Sequence, residues 1–242
     1  TITQPKVYQT TVKAALAVAE REEALVTLGI TPTRPETGYG YIRISGEDAF
    51  SQDGIQVHPI IRFTEKPGFE TAKEYVESGR FFWNSGMFFW RLSVFMKELR
   101  QATPAMASAI DGMHDAIKAD DRSRLRTVFE HLDNISIDYA LMEKAKRVLA
   151  LEAGFGWDDI GAWDALLRQR KASRNGNVIY GDPVVIDTRN SIIYNDTDNL
   201  DVGVIGLDNI AVIATEHGVL VIPKDRSQDV KRIVGELKRR GV

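Results

Sequence analysis

Apolar residues recur at helical spacing from Pro5 to Arg21, with Tyr8, Val12, Ala15, Leu16 and Ala19 on one stripe. Thr3 is placed to cap this predicted helix, and Pro5 suits its first turn. Ala24 to Ile30 is then almost continuously apolar, as expected of a strand covered on both faces. A helix feeding such a strand is half of a βαβ unit. Tyr39 to Ile44 and Ile60 to Thr64 read as further strands, with a polar loop between them around Gly46 to Gly54. Phe69 to Ser78 predicts a short helix stopped by Gly79, and the aromatic run Phe81 to Trp90 a strand. Helices are predicted over Leu92 to Gln101, Pro104 to Lys118 and Arg122 to Leu132. A last one, capped by Ser136, places Leu141, Ala145 and Val148 along one face.

From Lys171 to Gly176 the chain turns polar, and six short β runs follow. They are Val178 to Tyr180, Val184 to Asp187, Ser191 to Tyr194, Val202 to Ile205, Ile210 to Ala214 and Val219 to Ile222, separated by Gly, Asp, Asn and Pro. Rungs at this spacing suit a β-solenoid or a small sandwich. Asp225 to Arg240 predicts a closing amphipathic helix with Val230, Ile233, Val234 and Leu237 inward, and Lys238, Arg239 and Arg240 in its last turn complement the helix dipole. A boundary near Ser173 gives an α/β domain over 1–172 and a small β domain over 173–242.

The chain has 242 residues, enough to bury a substantial core as one or two domains, and is 43% hydrophobic and 27% charged. A net charge of −3 gives no electrostatic reason to expect nucleic acid or an anionic membrane as partner. With no cysteine, disulfides, thiolate catalysis and thiolate zinc sites are excluded, which fits a cytoplasmic location. No apolar run reaches membrane length and no leader pattern opens the chain. Thr1-Ile2-Thr3-Gln4-Pro5 leads almost at once into a helix and reads as the middle of a protein.

Four segments carry candidate chemistry. Phe155-Gly156-Trp157-Asp158-Asp159-Ile160-Gly161-Ala162-Trp163 sets two carboxylates between indoles, suited to a hard cation such as magnesium; Trp-Asp pairs also occur in plain packed turns. Glu65-Lys66-Pro67 follows a predicted strand, where an ammonium can neutralise a phosphate and a carboxylate can accept sugar hydroxyls. Its bland reading is a solvated strand end. Thr37-Gly38-Tyr39-Gly40-Tyr41 offers glycines for close backbone approach and tyrosines for flat sugar contact, or a turn with its tyrosines in the core. Asn84, within Trp83-Asn84-Ser85-Gly86-Met87, is an amide in an aromatic stretch that needs partners; a sugar diol or a β-bulge supplies them. Asp138 lies in the first turn after Ser136, where a carboxylate is stabilised without any ligand, though that helix end can still face the site. The four histidines show no ligand spacing.

Glu65-Lys66-Pro67, Trp83 to Trp90, Ser136 to Lys144 and Trp157 to Trp163, in this order and spacing, resemble mannose-1-phosphate guanylyltransferase. The resemblance implies a Rossmann-like nucleotidyltransferase domain followed by a short left-handed β-helix-like domain. It implies formation of GDP-mannose and pyrophosphate from GTP and mannose 1-phosphate, with magnesium. Lys66 would contact the sugar phosphate and Glu65 the mannose hydroxyls, with Gly38 and Asn84 on the sugar. Asp159 would be a metal ligand, and Asp158 the less suited of the two. The family's glycine-rich nucleotide loop and its first metal-binding aspartate do not occur here. The resemblance therefore implies a fragment without its nucleotide-binding half, inactive alone. A sugar-1-phosphate nucleotidyltransferase of other base or sugar, or a non-catalytic sugar-phosphate-binding paralogue, are the alternatives. A homodimer through the β domain and its last helix is also expected.

Overall fold

The computed structural model describes residues 1–161, 163 and 172–241. Contacts divide the chain into two compact units, Thr1–Trp157 and Asp158–Val242. In the first, α1 (Pro5–Arg21) leads into β1 (Leu25–Ile30), every residue of which is buried. Then come β2 (Tyr41–Ile44), β3 (Phe50–Gln52), β4 (Ile55–Thr64), α2 (Phe69–Ser78) and β5 (Phe81–Phe89). Helices α3 (Leu92–Ala102), α4 (Pro104–Lys118) and α5 (Arg122–Glu130), a π-helical turn (Asp138–Met142) and β6 (Val148–Glu152) complete it. The sheet order is β2-β5-β1-β6-β4-β3, with β2 also pairing β4. Its one parallel pair among the described strands is β1 with β6. One face packs on α1 and α2 through Ala15, Val18, Ala72 and Tyr75, the other on α3, α4 and the π turn through Val94, Leu99, Ala107 and Leu141.

Four expectations need correction. The predicted helix after Ser136 is a single π turn, and Val148 instead opens β6, a central strand between β1 and β4. Val148 and Ala150 enter one core while Leu149 and Leu151 enter the other. Burial on both sides at period two demands a strand. The loop around Gly46 to Gly54 contains β3, which pairs with β4 as a short hairpin. In α1 the buried stripe is Thr11, Ala14, Ala15, Val18 and Ala19, and Leu16 is 54% exposed; small residues let the helix lie close to the sheet. Thr3 does not cap α1: its Oγ1 accepts from Gly156 N (2.9 Å), clipping the chain start to the strand end near Trp157.

All six predicted rungs exist in the second unit: β7 (Val178–Tyr180), β8 (Val184–Ile186), β9 (Ile192–Asp196), β10 (Gly203–Ile205), β11 (Ile210–Thr215) and β12 (Gly218–Pro223). β7, β9 and β11 form one parallel ladder and β8 and β10 a second, so successive strands alternate between two faces of a coil. β12 turns back antiparallel to β11 and ends the coil. Asn177 ties adjacent turns, donating from Nδ2 to Thr188 O (2.7 Å) and accepting from Ser191 N (2.9 Å). After a 3-10 segment (Lys224–Asp229), α6 (Val230–Arg239) closes the chain. Its apolar stripe does not face inward: Ile233, Val234 and Leu237 are 45%, 44% and 41% exposed.

Candidate active site

Strand β4 delivers Glu65 and Lys66 just past its end. The Glu65 carboxylate is almost enclosed and ion-pairs with Lys66 Nζ, whose side chain is 51% exposed. Gly40 makes room for that carboxylate: a β-carbon there would meet Glu65 Oε2 at 2.5 Å. Lys66 adopts a left-handed backbone (φ 46), uncommon for a residue with a side chain and costing about 1–3 kcal/mol. The hydrogen bond to Glu65, with the charges of Glu65 and Asp138, raises the ammonium pKa, so Lys66 is a fixed cation at neutral pH.

Asn84 sits in β5 where the pairing with β1 slips between Thr27 and Gly29, a β-bulge containing Gly86 at φ 70. The buried Asn84 amide is held by side chains: Thr27 Oγ1 donates to Oδ1 (2.9 Å) and Nδ2 donates to Asp138 Oδ1 (3.2 Å). Its need for partners is thus met within the protein, and its orientation is fixed before any ligand arrives.

Asp138 begins the π turn, a distortion frequent at functional sites. Burial, and next the charge of Glu65, raise its pKa above the ordinary 3.8, while a backbone N–H, Lys66 and Ser136 pull the other way. A raised folded-state pKa favours the protonated carboxyl. The corresponding stability is present below pH 3.8 and lost as pH rises through the folded pKa. Asp138→Asn should therefore raise the melting temperature at pH 7, with the gain shrinking toward acid. A lower melting temperature at pH 7 than the parent would contradict this.

The loop before β2 is organised by Glu36. Its Oε2 pairs with Arg34 (3.1 Å), its Oε1 accepts from Gly38 N (3.0 Å), and its own N–H donates to Tyr41 Oη (2.9 Å). The Arg34 guanidinium lies over the Trp83 ring at 4.9 Å, tying this loop to the strand of Asn84. Tyr39 is 7% exposed, its ring set edge-on against Trp83 and Trp157. The ring belongs to the core, as the plainer reading of this segment expected.

Asp158 and Asp159 open the second unit. Asp158 is buried, and its Oδ1 accepts from Ile160 N (3.0 Å); Asp159 is exposed, and its Oδ1 accepts from Gly161 N (2.8 Å). Between these turns Ile160 has φ 54, a strained value for a β-branched residue. Among the described residues no group of three or more His, Asp or Glu side chains could hold a metal ion. Magnesium commonly takes one or two carboxylates and completes its shell with substrate phosphates and water, and the exposed Asp159 fits that habit better than Asp158.

The structure brings Glu65, Lys66, Asn84 and Asp138 to one corner of the first unit, and Gly38 and Tyr39 adjoin it, since Gly40 O accepts from Asn84 N (2.8 Å). A family model described as nucleotidyl transferase matches residues 3–176. The chain belongs to the nucleotidyl transferase family. Residues 181–237 of this nucleotidyl transferase match a second model, the mannose-phosphate isomerase/GMP-like β-helix domain, in agreement with the coil of β7 to β12. Xanthan biosynthesis protein XanB of Xanthomonas campestris is 38% identical over 97% of the chain, and a mannose-1-phosphate guanylyltransferase of Escherichia coli is 36% identical over 98%. The chain spans about half the length of these curated relatives, 48% and 50%. A crystal structure described as mannose-1-phosphate geranyltransferase from Thermus thermophilus superposes with a TM-score of 0.79 at 32% identity, covering 98% of this chain and 67% of that one.

Sequence reading missed Thr27, Arg34, Glu36 and Glu143, whose Oε1 accepts from Glu65 N (3.3 Å). Thr27 alone carried a signal, as a polar residue in an otherwise apolar strand. The others reach the site only through the folded loops.

Proposed function

We propose that a protein carrying this chain forms GDP-mannose and pyrophosphate from GTP and mannose 1-phosphate. The observation that carries the reading is the Glu65–Lys66 pair meeting Asn84 and Asp138 in one corner of a nucleotidyl transferase. Lys66 presents the cation for the sugar phosphate. Glu65, Asn84 and the backbone of Gly38 and Tyr39 present acceptors and donors for hexose hydroxyls. A phosphate oxygen of the sugar attacks the α-phosphorus of GTP in line. Positioning and charge neutralisation suffice, with no protein nucleophile. Asp159 would hold magnesium together with substrate phosphates, and the ion would supply neutralisation of phosphate charge.

The gap between the two matched family models, at residues 176 and 181, supports a functional division near Ser173. No described helix is long and apolar enough to cross a membrane. The test is an assay of a protein carrying this chain, with GTP, mannose 1-phosphate and magnesium. GDP-mannose with stoichiometric pyrophosphate is expected; turnover with a different nucleotide or sugar phosphate alone would reassign it to another nucleotidyl transferase. Tight mannose 1-phosphate binding without any turnover would favour a non-catalytic paralogue. The exposed stripe on α6 supports self-association through the β domain. Light scattering should give twice the mass, reduced when residues 225–242 are deleted; an unchanged mass after deletion would count against it.

A further inference from the structure

On the outer end of the β2–β4 ladder, Arg43 stands directly opposite Arg62. Side chains so paired share one face with their β-carbons about 4.5–5.5 Å apart, and like charges there repel. A third cation adjoins them: Phe81 is the other cross-strand partner of Arg43, and the carbonyl of the preceding Arg80 accepts from Ile44 N (3.3 Å). None of the three arginines is ion-paired to an acid among the described residues. A chain with a net charge of −3 and 34 acidic residues has concentrated uncompensated positive charge at one place.

The place is concave. A groove of about 440 Å³ is lined by Arg43, Arg80, Ser45, Glu47, Ile61 and Gly79, with Ile44 and Gly46, and Arg62 stands beside it across the ladder from Arg43. It shares no lining residue with the Lys66 corner. The register slips between Arg43 and Ile44, whose partners are Arg62 and Ile60, so Ile61 is an extra residue and stands 57% exposed. Bulges of this kind re-aim side chains and gather beside functional sites. Ser45 Oγ accepts from Glu47 N (3.1 Å), which leaves the hydroxyl hydrogen to donate. Glu47 is the one carboxylate at the rim, outnumbered by the arginines.

We propose that Arg43 and Arg80, with Ser45 and flanked by Arg62, form a second anion site that binds a phosphate-bearing small molecule. Guanidinium forks match phosphate oxygens in pairs, and the groove has the size of a small-metabolite pocket. The ligand's charge removes the repulsion that the empty ladder carries.

Calorimetric titration with inorganic phosphate and with pyrophosphate tests this in a Lys66→Met background, where the proposed sugar-phosphate cation is gone. Saturable binding should persist there, weaken as NaCl rises, and weaken roughly tenfold or more when Arg43→Gln and Arg80→Gln are added. A preference for pyrophosphate would mark a diphosphate-bearing ligand, and equal affinity a monophosphate. Absence of saturable binding, or identical binding with and without the arginine changes, would overturn the site. In ligand-free protein Arg62→Gln should raise the melting temperature by relieving repulsion. A fall would show the arginines to be structural and would equally sink the proposal.

Discussion

Asp159→Asn should reduce turnover on the order of a hundredfold or more in a protein carrying this chain. Asparagine keeps the Oδ1 acceptor that receives Gly161 N–H at 2.8 Å, so the turn around Ile160 persists while the negative charge is lost. A β-carbon at Gly161 would meet Asp159 Oδ2 at 2.5 Å, so this turn is shaped around that carboxylate. The effect should appear in kcat and respond to magnesium concentration. Asp158→Asn should matter less for catalysis, because that carboxylate is buried while that of Asp159 is exposed. Pyrophosphate release that is unchanged in Asp159→Asn at saturating magnesium would remove Asp159 from the mechanism.

Lys66→Met should raise the KM for mannose 1-phosphate roughly ten- to a hundredfold, the loss expected of a charge-assisted contact to a phosphate. The side chain is 51% exposed, so its own contribution to folding is small. The complication is Glu65, nearly enclosed and then without its ammonium. Combining Lys66→Met with Glu65→Gln removes that stranded charge. The double variant should recover stability and still fail to bind the sugar phosphate tightly. A KM within twofold of the parent in Lys66→Met would contradict the assignment of the phosphate to this residue.

Much of the fold could be read along the chain because local signals agreed with it. Gly79 ends α2 in a left-handed conformation (φ 64), and turn residues separate all six rungs of the coil. What escaped was whatever tertiary pairing decides. Val148 to Leu151 could extend a helical stripe or form a buried strand, and only its place between β1 and β4 selects the strand. The exposed α6 stripe looks like a core face in sequence, since periodicity shows amphipathicity but not what covers it. At the site, Glu65, Lys66 and Asn84 were visible as charges or amides in apolar runs. The roles of Glu36 and Arg34 were not, because a loop carboxylate gives no sign that it will collect Arg34 and the Gly38 amide. Asp138 was visible as a first-turn carboxylate. Its bond to Asn84 depends on the π turn, which no period predicts.

A crystal structure of the protein with mannose 1-phosphate most directly tests whether this corner holds a hexose phosphate. The phosphate should lie within hydrogen-bonding distance of Lys66 Nζ, and sugar hydroxyls should reach the Glu65 carboxylate and Asn84. A sugar phosphate seated elsewhere, touching none of these three residues, would contradict it.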